Sequence, residues 1–229
     1  PFILLYLLVP TRFFTRRRYR IGLREKFGGV EPIEADGPRI LVHAVSVGEA
    51  RTALPLVKEL CRRYPQWQVI LSTSTDTGFD AAKKGLSDTP GVPVVYYPFD
   101  FSCAVRRTLG ALRPSVVVLV ELELWPNFLL ECRRRNTRVL VANGRLTERS
   151  CNRYRRLGAI GRFLFSLPDA FAAQNTSYAE RFRSLQVPGE RITVAGNLKY
   201  DAAVKEGRPG AATRDQLGWN SAAVVMGGC

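Results

Sequence analysis

The sequence predicts an α/β fold: a Rossmann-like, doubly wound parallel sheet with helices on both faces. From residue 39 onward, short apolar runs alternate with longer amphipathic stretches, which is the pattern of repeated strand–helix units. The short runs are rich in Val, Ile and Leu, as expected for strands that are buried on both faces of a parallel sheet. In such sheets, ligands bind outside the carboxyl ends of the strands, so the residues that follow each strand are the ones to inspect for function.

The predicted elements alternate along the chain. Strands are expected at residues 39–45, 67–72, 92–96, 115–120, 137–142 and 170–173. Helices are expected at residues 49–64, 76–84, 102–112, 126–135 and 177–185. Pro126 suits the first turn of the fourth helix, where an N–H group is unpaired in any case, and it therefore limits the strand before it.

Three segments are predicted along the 229 residues. Residues 21–200 form the Rossmann-like domain, and residues 1–20 hold the remnant of a hydrophobic anchor and a basic juxtamembrane segment. Residues 201–229 are a polar linker that leads into an apolar run, which is typical of the first strand of an incomplete second α/β domain. Because the chain begins with Pro1 and ends soon after that run, we expect it to be a piece of a longer protein.

The chain is strongly basic, with 34 Lys and Arg against 20 Asp and Glu and a formal net charge of +14. Its 46% hydrophobic content excludes a disordered polymer. Arginines dominate and concentrate at residues 12–26 and 145–162, where they would suit phosphate or carboxylate partners or simply form solvated surface. Because no zinc-finger spacing, RRM-like aromatic signature or repeat accompanies the charge, we expect no nucleic acid partner.

The N-terminal residues 1–10 are uncharged and apolar, and Arg16, Arg17 and Arg18 follow them. A bilayer span takes about 20 residues, so this stretch is the remnant of an anchor, an interfacial segment or a buried first helix. An apolar stretch followed by arginines fits the positive-inside bias, which would place the rest of the chain in the cytoplasm, on anionic lipid. The five scattered cysteines lack metal or redox spacing, which agrees with a reducing compartment.

A polar segment, His43 to Arg51, follows the first predicted strand. Gly48 would permit a ligand to approach the start of the next helix, whose unpaired N–H groups can bind an anion. Glu49 stands at this N-terminus, where the helix dipole favours the ionised form, and is a candidate general base. The alternative is that Ser46 caps the helix and Glu49 only complements its dipole. His43, within an apolar strand, is typical of a core histidine.

Two carboxylates, Glu121 and Glu123, follow the fourth predicted strand in the run ELELWPN, which ends at Asn127. If the strand continued through them, they would share one face and would need partners when buried. They could bind a metal, act as acid and base, or form structural ion pairs. The fifth strand leads into Asn143 and Arg145. The sequence lacks the motifs of P-loop NTPases, dinucleotide-binding enzymes, serine hydrolases and zinc proteases.

These segments closely resemble the Kdo transferases, the 3-deoxy-D-manno-octulosonic acid transferases of lipopolysaccharide assembly. The matching runs are HAVSVGE at 43–49, STSTDTG at 72–78, YPFD at 97–100, ELELWPN at 121–127, NGRLTERS at 143–150 and GNLKYD at 196–201. The resemblance implies a GT-B arrangement of two Rossmann-like domains, of which this chain would hold the N-terminal acceptor domain. Family members continue with a Ser-Thr-His motif where this chain has Cys229, so we expect residues 1–229 alone to be inactive.

The resemblance implies an inverting transfer of Kdo from CMP-Kdo to the lipid A precursor, without a metal or a cofactor. Glu49 would be the general base, and Glu121 or Glu123 a second functional carboxylate. The implied substrate-binding residues lie at the same strand ends: Ser46, Gly48, Arg51, Asn127, Asn143, Arg145 and Lys199. The anionic inner-membrane surface would be a further partner. The alternatives are another GT-B sugar-nucleotide enzyme and a non-catalytic basic membrane-binding module.

Overall fold

A seven-stranded parallel sheet forms the centre of the molecule. The computed structural model describes residues 21–34 and 37–199. The strands are β1 (Arg39–His43), β2 (Gln68–Thr73), β3 (Val94–Tyr96), β4 (Val116–Val120), β5 (Arg138–Gly144), β6 (Ala170–Ala173) and β7 (Ile192–Val194). Their order is β3-β2-β1-β4-β5-β6-β7, and all neighbouring strands are parallel. The predicted fold class, a doubly wound parallel sheet, is confirmed.

Helices connect the strands and cover both faces of the sheet. They are α1 (Leu23–Lys26), α2 (Val47–Arg63), α3 (Asp76–Gly85), α4 (Ser102–Leu112), α5 (Pro126–Arg134), α6 (Glu148–Arg156), α7 (Ala159–Ser166) and α8 (Thr176–Ser184), with a 3₁₀ turn at Gly189–Arg191. The buried side chains of α2 and α3 belong to the core on one face, and those of α4 to α8 belong to the core on the other.

The central strands are apolar throughout because their side chains alternate between these two cores. In β1, Ile40 and Val42 pack in the core with α2 and α3, whereas Leu41 packs in the core with α4 to α8. In β4, Val118 faces the first core and Val117 the second. A strand with a helical layer on each side has no solvent-facing positions, which explains the uninterrupted apolar runs in the sequence.

The ends of β4 and β5 lie where function was expected; β4 ends at residue 120, as the sequence predicts, whereas β5 extends beyond its predicted end. β4 ends at Val120, and Glu121 takes a left-handed backbone conformation with a φ of 65°. Glu121 and Glu123 therefore lie in a turn and do not share a strand face. In contrast, β5 continues to Gly144, which places Asn143 within the strand instead of in the following loop.

Four elements, α1, α6, α7 and β7, are missing from the sequence-based prediction. α6 contains one buried residue, Cys151, and many arginines, so its sequence looks like a solvated charge run. In β7 only Ile192 is buried, which leaves no apolar run to detect. Strands and helices that bury a single side chain are recognised only once their neighbours are in place.

One member of the first basic cluster, Lys26, is buried and is therefore not solvated surface. Only 5% of Lys26 is exposed. Its Nζ donates to the Ile21 carbonyl oxygen at 3.0 Å, lies 3.4 Å from an Asp76 carboxylate oxygen, and lies 4.5 Å from the centroid of the Tyr96 ring. Lys26 thus fixes α1 against the β3 edge of the sheet.

Other predictions about the ends of the chain, including Arg16 to Arg18, the anchor remnant at 1–20 and the segment at 201–229, lie outside the described residues. Within residues 21–34 and 37–199, no helix is both long enough and apolar enough to cross a membrane.

Candidate active site between the carboxyl ends of β1 and β4

The strand order places a crevice at the carboxyl ends of β1 and β4. The chain passes outward from β1 to β2 and β3, and then returns to the other side of β1 to form β4 and the later strands. The connections after β1 and β4 therefore turn in opposite directions, which leaves an opening between them where ligands of such folds bind. Glu49 follows β1 and the pair Glu121 and Glu123 follows β4, so the topology brings the three predicted carboxylates together.

Glu49 is held in one orientation by the first turn of α2. The Ser46 hydroxyl accepts the Glu49 backbone N–H at 3.4 Å and donates to Glu49 Oε1 at 2.9 Å. The Val45 backbone N–H donates to Glu49 Oε2 at 2.9 Å. Both oxygens are thus anchored, and the capping role that the sequence left as an alternative is present together with a defined carboxylate position.

Burial raises the pKa of Glu49 above its ordinary value, and the negative charge of Glu121 adds to this effect. The hydrogen bonds from Val45 and Ser46 and the positive charge of Lys199 act in the opposite direction. A carboxylate whose pKa is raised toward neutrality binds a proton more strongly than an ordinary glutamate, which is what a general base requires.

Gly48 leaves open space beside Glu49. It is exposed, and a Cβ atom built on it would meet only the Ser46 hydroxyl oxygen, at 3.9 Å. The fold therefore does not need a glycine at this position, since a methyl group would fit without any shift. The missing side chain instead uncovers the first N–H groups of α2 to a ligand.

The carboxylates that follow β4 have different surroundings. Glu123 accepts the indole N–H of Trp125 at 2.9 Å, and burial raises its pKa to about 7, with a smaller effect from the negative charges of Glu49 and Glu121. Glu121 lies 3.9 Å from the Lys199 ammonium group. Glu123 therefore retains its proton up to about neutral pH.

Asn143 holds the segment that carries Lys199. Its side-chain Oδ1 accepts the Leu198 backbone N–H at 3.1 Å, and its carbonyl oxygen accepts the Gln174 side-chain N–H at 3.0 Å. Asn143 is 3% exposed and has a φ of 55°, a conformation that asparagine tolerates better than most residues. The side-chain nitrogen of Asn143 is buried without a partner among the described residues.

Arg51 and Arg145 have exposed side chains close in sequence to the site. Arg51 lies two residues after Glu49, and Arg145 directly follows the end of β5. Within the described part of the chain, neither guanidinium group has a hydrogen bond or an ion pair. Both are therefore available to an anionic ligand.

The side chain of Asn127, another predicted substrate-binding residue, is used within the fold. Its Nδ2 donates to the carbonyl oxygen of Asp100 at 2.5 Å, and its Oδ1 accepts the Ser102 hydroxyl at 3.2 Å. The Asp100 carboxylate also accepts the backbone N–H groups of Asn127 and Phe128 at 3.0 and 2.8 Å. Asn127 and Asp100 together fix the start of α5.

Asp100 is the residue that sequence reasoning missed at this edge. It is 3% exposed, and burial raises its pKa to about 6 against the opposing effect of its hydrogen bonds. Trp125 occupies the N-cap position of α5 and supplies no side-chain cap, so the helix takes its cap from a carboxylate after β3. An apolar residue before Pro126 was the available signal that α5 needs a cap from elsewhere.

His43 belongs to the core, in agreement with the interpretation from its apolar surroundings. It is fully buried, its ring stacks on Tyr97 with 3.7 Å between centroids, and its Nδ1 lies 3.1 Å from the Ser72 hydroxyl. Burial lowers its pKa to about 3, so the imidazole is neutral at physiological pH. In residues 21–34 and 37–199, no group of His, Cys, Asp and Glu side chains is arranged to hold a metal ion.

Residues 21–202 match a family model described as 3-Deoxy-D-manno-octulosonic-acid transferase (kdotransferase). Among curated proteins, the 3-deoxy-D-manno-octulosonic acid transferase of Chlamydia pneumoniae is 35% identical over 188 residues, or 81% of this chain and 43% of the relative. The Haemophilus influenzae protein of the same name is 34% identical over 185 residues, or 80% of this chain and 43% of the relative. The chain thus spans less than half the length of these relatives.

Solved structures of UDP-GlcNAc 2-epimerases share the fold. The Neisseria meningitidis enzyme bound to UDP-GlcNAc has a TM-score of 0.55 at 14% identity, over 73% of this chain and 49% of that one. The Methanocaldococcus jannaschii enzyme has a TM-score of 0.54 at 15% identity, over 73% of this chain and 48% of that one. At such identities the likeness concerns the Rossmann-like architecture alone.

Proposed function

Because the chain belongs to the 3-deoxy-D-manno-octulosonic-acid transferase family, we propose that it forms the acceptor side of an enzyme that transfers Kdo from CMP-Kdo to the lipid A precursor. The reaction belongs to lipopolysaccharide biosynthesis and takes place at the cytoplasmic face of the inner membrane. The rest of the donor site would come from a second domain, of which residues 201–229 would be the beginning. Residues 1–229 alone would then be inactive.

One observation carries the proposal: Glu49 is fixed by two hydrogen bonds at the ligand-binding edge of the sheet, beside the open space at Gly48. A general base must be close to the hydroxyl group that it deprotonates and must be oriented before the substrate arrives. The Ser46 and Val45 donors orient the carboxylate, and the space at Gly48 admits the acceptor sugar.

In the proposed reaction, Glu49 takes the proton of the acceptor hydroxyl group while the oxygen attacks the anomeric carbon of Kdo. The bond between that carbon and the phosphate oxygen of CMP breaks, and its electron pair leaves with CMP. Attack from the side opposite the leaving group inverts the anomeric configuration. No metal and no cofactor takes part in this scheme.

The other site residues would bind and balance charge. Arg51 and Arg145 offer exposed guanidinium groups to the phosphates of the acceptor or the carboxylate of the donor sugar. Lys199 partly neutralises Glu121. Glu123, with a pKa of about 7, would be only partly ionised near neutral pH and would so limit the negative charge around Glu49.

The decisive experiment is transfer of Kdo from CMP-Kdo to tetra-acylated lipid A precursor by the full-length protein and its Glu49→Gln variant. We expect kcat to fall by about 100-fold or more, which is typical for loss of a general base. Glu59→Gln is the matched control, since Glu59 lies on the same helix, pairs with Arg62 and Arg63, and is remote from the site. If Glu49→Gln retains more than a tenth of the parent rate, Glu49 is not the base.

A further inference from the structure

A surface with both exposed apolar and exposed basic side chains lies at the junction of α6 and α7, which we call the α6–α7 corner. It consists of the exposed side chains of Arg149, Arg153, Arg156, Leu157, Ile160 and Phe163. None of these residues belongs to the candidate active site. The second arginine-rich run of the sequence, residues 145–162, thus becomes part of a defined surface.

The corner is held rigidly by its packing. A Cβ atom added at Gly161 would lie 2.3 Å from the Tyr154 carbonyl oxygen, so the glycine is what permits α7 to contact α6. The Tyr154 and Phe165 rings meet edge to face with 4.9 Å between centroids, and Phe165 is buried in the core. The exposed residues therefore project from a fixed scaffold.

Three large apolar side chains at the corner face solvent. Leu157 is 47% exposed, Ile160 60% and Phe163 47%. Ile160 and Phe163 are three residues apart on α7, so they lie on the same side of the helix, opposite the buried Phe165. Clustered exposure of this kind marks a surface that contacts an apolar partner.

Arginines surround these apolar side chains. Residues 145–166 contain six arginines and a single acid, Glu148. Arg149, Arg153 and Arg156 line one side of α6 and border a groove of about 690 Å³ next to Leu157. Within the described residues, no carboxylate pairs with these arginines, so their charge is not neutralised by the fold.

We infer that the α6–α7 corner docks on an anionic lipid bilayer, with the apolar side chains inserted among the headgroups and the arginines on lipid phosphates. Apolar side chains that insert, bordered by cations, are the combination that binds proteins to the surface of anionic membranes. A nucleic acid would bind the arginines through its phosphates but would not require the exposed apolar side chains of Leu157, Ile160 and Phe163. α6 begins four residues after β5 ends, at the edge of the sheet that bears Glu49.

The inference rests on the proposed function only for the identity of the membrane. A fluorescence-quenching experiment tests it independently of Kdo transfer. The full chain carries either Phe163→Trp or, as the matched control, Leu130→Trp, since Leu130 is also exposed but lies on α5. Vesicles contain phosphatidylglycerol and brominated phosphatidylcholine, which quenches tryptophans that touch the lipid. We expect the tryptophan at 163 to be quenched at least threefold more than that at 130. Equal quenching overturns the inference.

A second measurement tests the arginines. The Arg149→Ser/Arg156→Ser double variant and an Arg107→Ser/Arg133→Ser control have the same charge, and all four arginines are exposed. At low salt, each arginine near an anionic membrane is worth about fivefold, so the first pair should weaken vesicle binding by about 25-fold and the control pair far less. Both double variants contain residues 1–20, so any binding by that segment is the same in the two proteins. The inference is overturned if the two variants bind equally, or if binding does not depend on the phosphatidylglycerol fraction of the vesicles. Neither outcome bears on the result of the Glu49→Gln transfer assay.

Discussion

Replacing Glu123 by glutamine should stabilise the protein above neutral pH. The ordinary pKa of 4.5 applies to the unfolded chain, and the folded value is about 7. Between these values the folded state holds a proton that the unfolded state has lost, so the stability of the parent falls as the pH rises through this window. At about 1.4 kcal/mol per pH unit, the full loss is about 3 kcal/mol. Because Glu123 keeps some contact with water, we expect about 2 kcal/mol.

The glutamine variant lacks this loss and can still accept the Trp125 indole N–H through its amide oxygen. Urea unfolding of the full chain, followed by far-UV circular dichroism at pH 4.5 and pH 8, gives the free energy of unfolding of each protein. The variant's advantage should be small at pH 4.5 and should grow to about 2 kcal/mol at pH 8. The reasoning fails if the difference between variant and parent is the same at both pH values.

Glu59→Gln is the control for this measurement because its pKa is perturbed in the opposite direction. The hydrogen bonds from Arg62 and Arg63 lower the pKa of Glu59 to about 2. Its ionised form therefore contributes stability that is present above pH 4.5 and is lost as the pH falls toward 2. Replacing it removes that contribution, so this variant should gain no stability at pH 8.

Two further variants separate binding roles from structural ones. Gly48→Ala should leave the melting temperature unchanged or slightly higher, because the added Cβ meets only one atom, at 3.9 Å. The same variant should lower kcat/KM of the full-length enzyme at least tenfold, because the methyl group fills the space beside Glu49. An unchanged kcat/KM would show that no ligand approaches Glu49 there. Asn143→Gly keeps the left-handed backbone conformation accessible but removes the acceptor for the Leu198 N–H. Hydrogen exchange at the Leu198 amide, measured by NMR, should therefore accelerate at least tenfold. Unaltered exchange would show that Asn143 does not hold that segment.

Much of the fold could be predicted because the central strands are buried on both faces. In β1 and β4, the apolar side chains belong to one or the other of the two cores, so the apolar runs leave little freedom in where the strands lie. The site followed from the same pattern, since polar residues such as Glu49 and Glu121 come directly after buried strands. Their proximity required only the rule that ligands bind at the carboxyl ends of parallel strands.

The roles of the asparagines could not be predicted, because they depend on partners that are distant in sequence. Asn143 accepts a hydrogen bond from Leu198, 55 residues away, and Asn127 is bound to Asp100, 27 residues away. Both asparagines lie in runs that also contain charged candidates, so sequence position alone gave them the same assignment. The structure assigns Asn127 to the cap of α5 and Asn143 to the support of Lys199.

The α6–α7 corner shows a similar limit. From the sequence, the arginines at 145–162 fit a solvated surface as well as an anionic partner. The distinction depends on Leu157, Ile160 and Phe163, whose exposure follows from the close contact between Gly161 and Tyr154 and cannot be read from periodicity. A helical pattern would have predicted that these three residues are core.

The connection between Asn143, Lys199 and the carboxylates links Glu49, the proposed base, to the segment that follows β7. The positive charge of Lys199 lowers the pKa of Glu49, and the negative charge of Glu121 raises it. Lys199 is about half exposed and is held near Glu121 through its neighbour Leu198. If Lys199 moves away, one of the effects that lower the pKa of Glu49 is lost, and Glu49 becomes harder to ionise. The proton affinity of Glu49, the proposed base, therefore depends in part on how the segment after β7 is placed, and in the sequence that segment continues into residues 201–229.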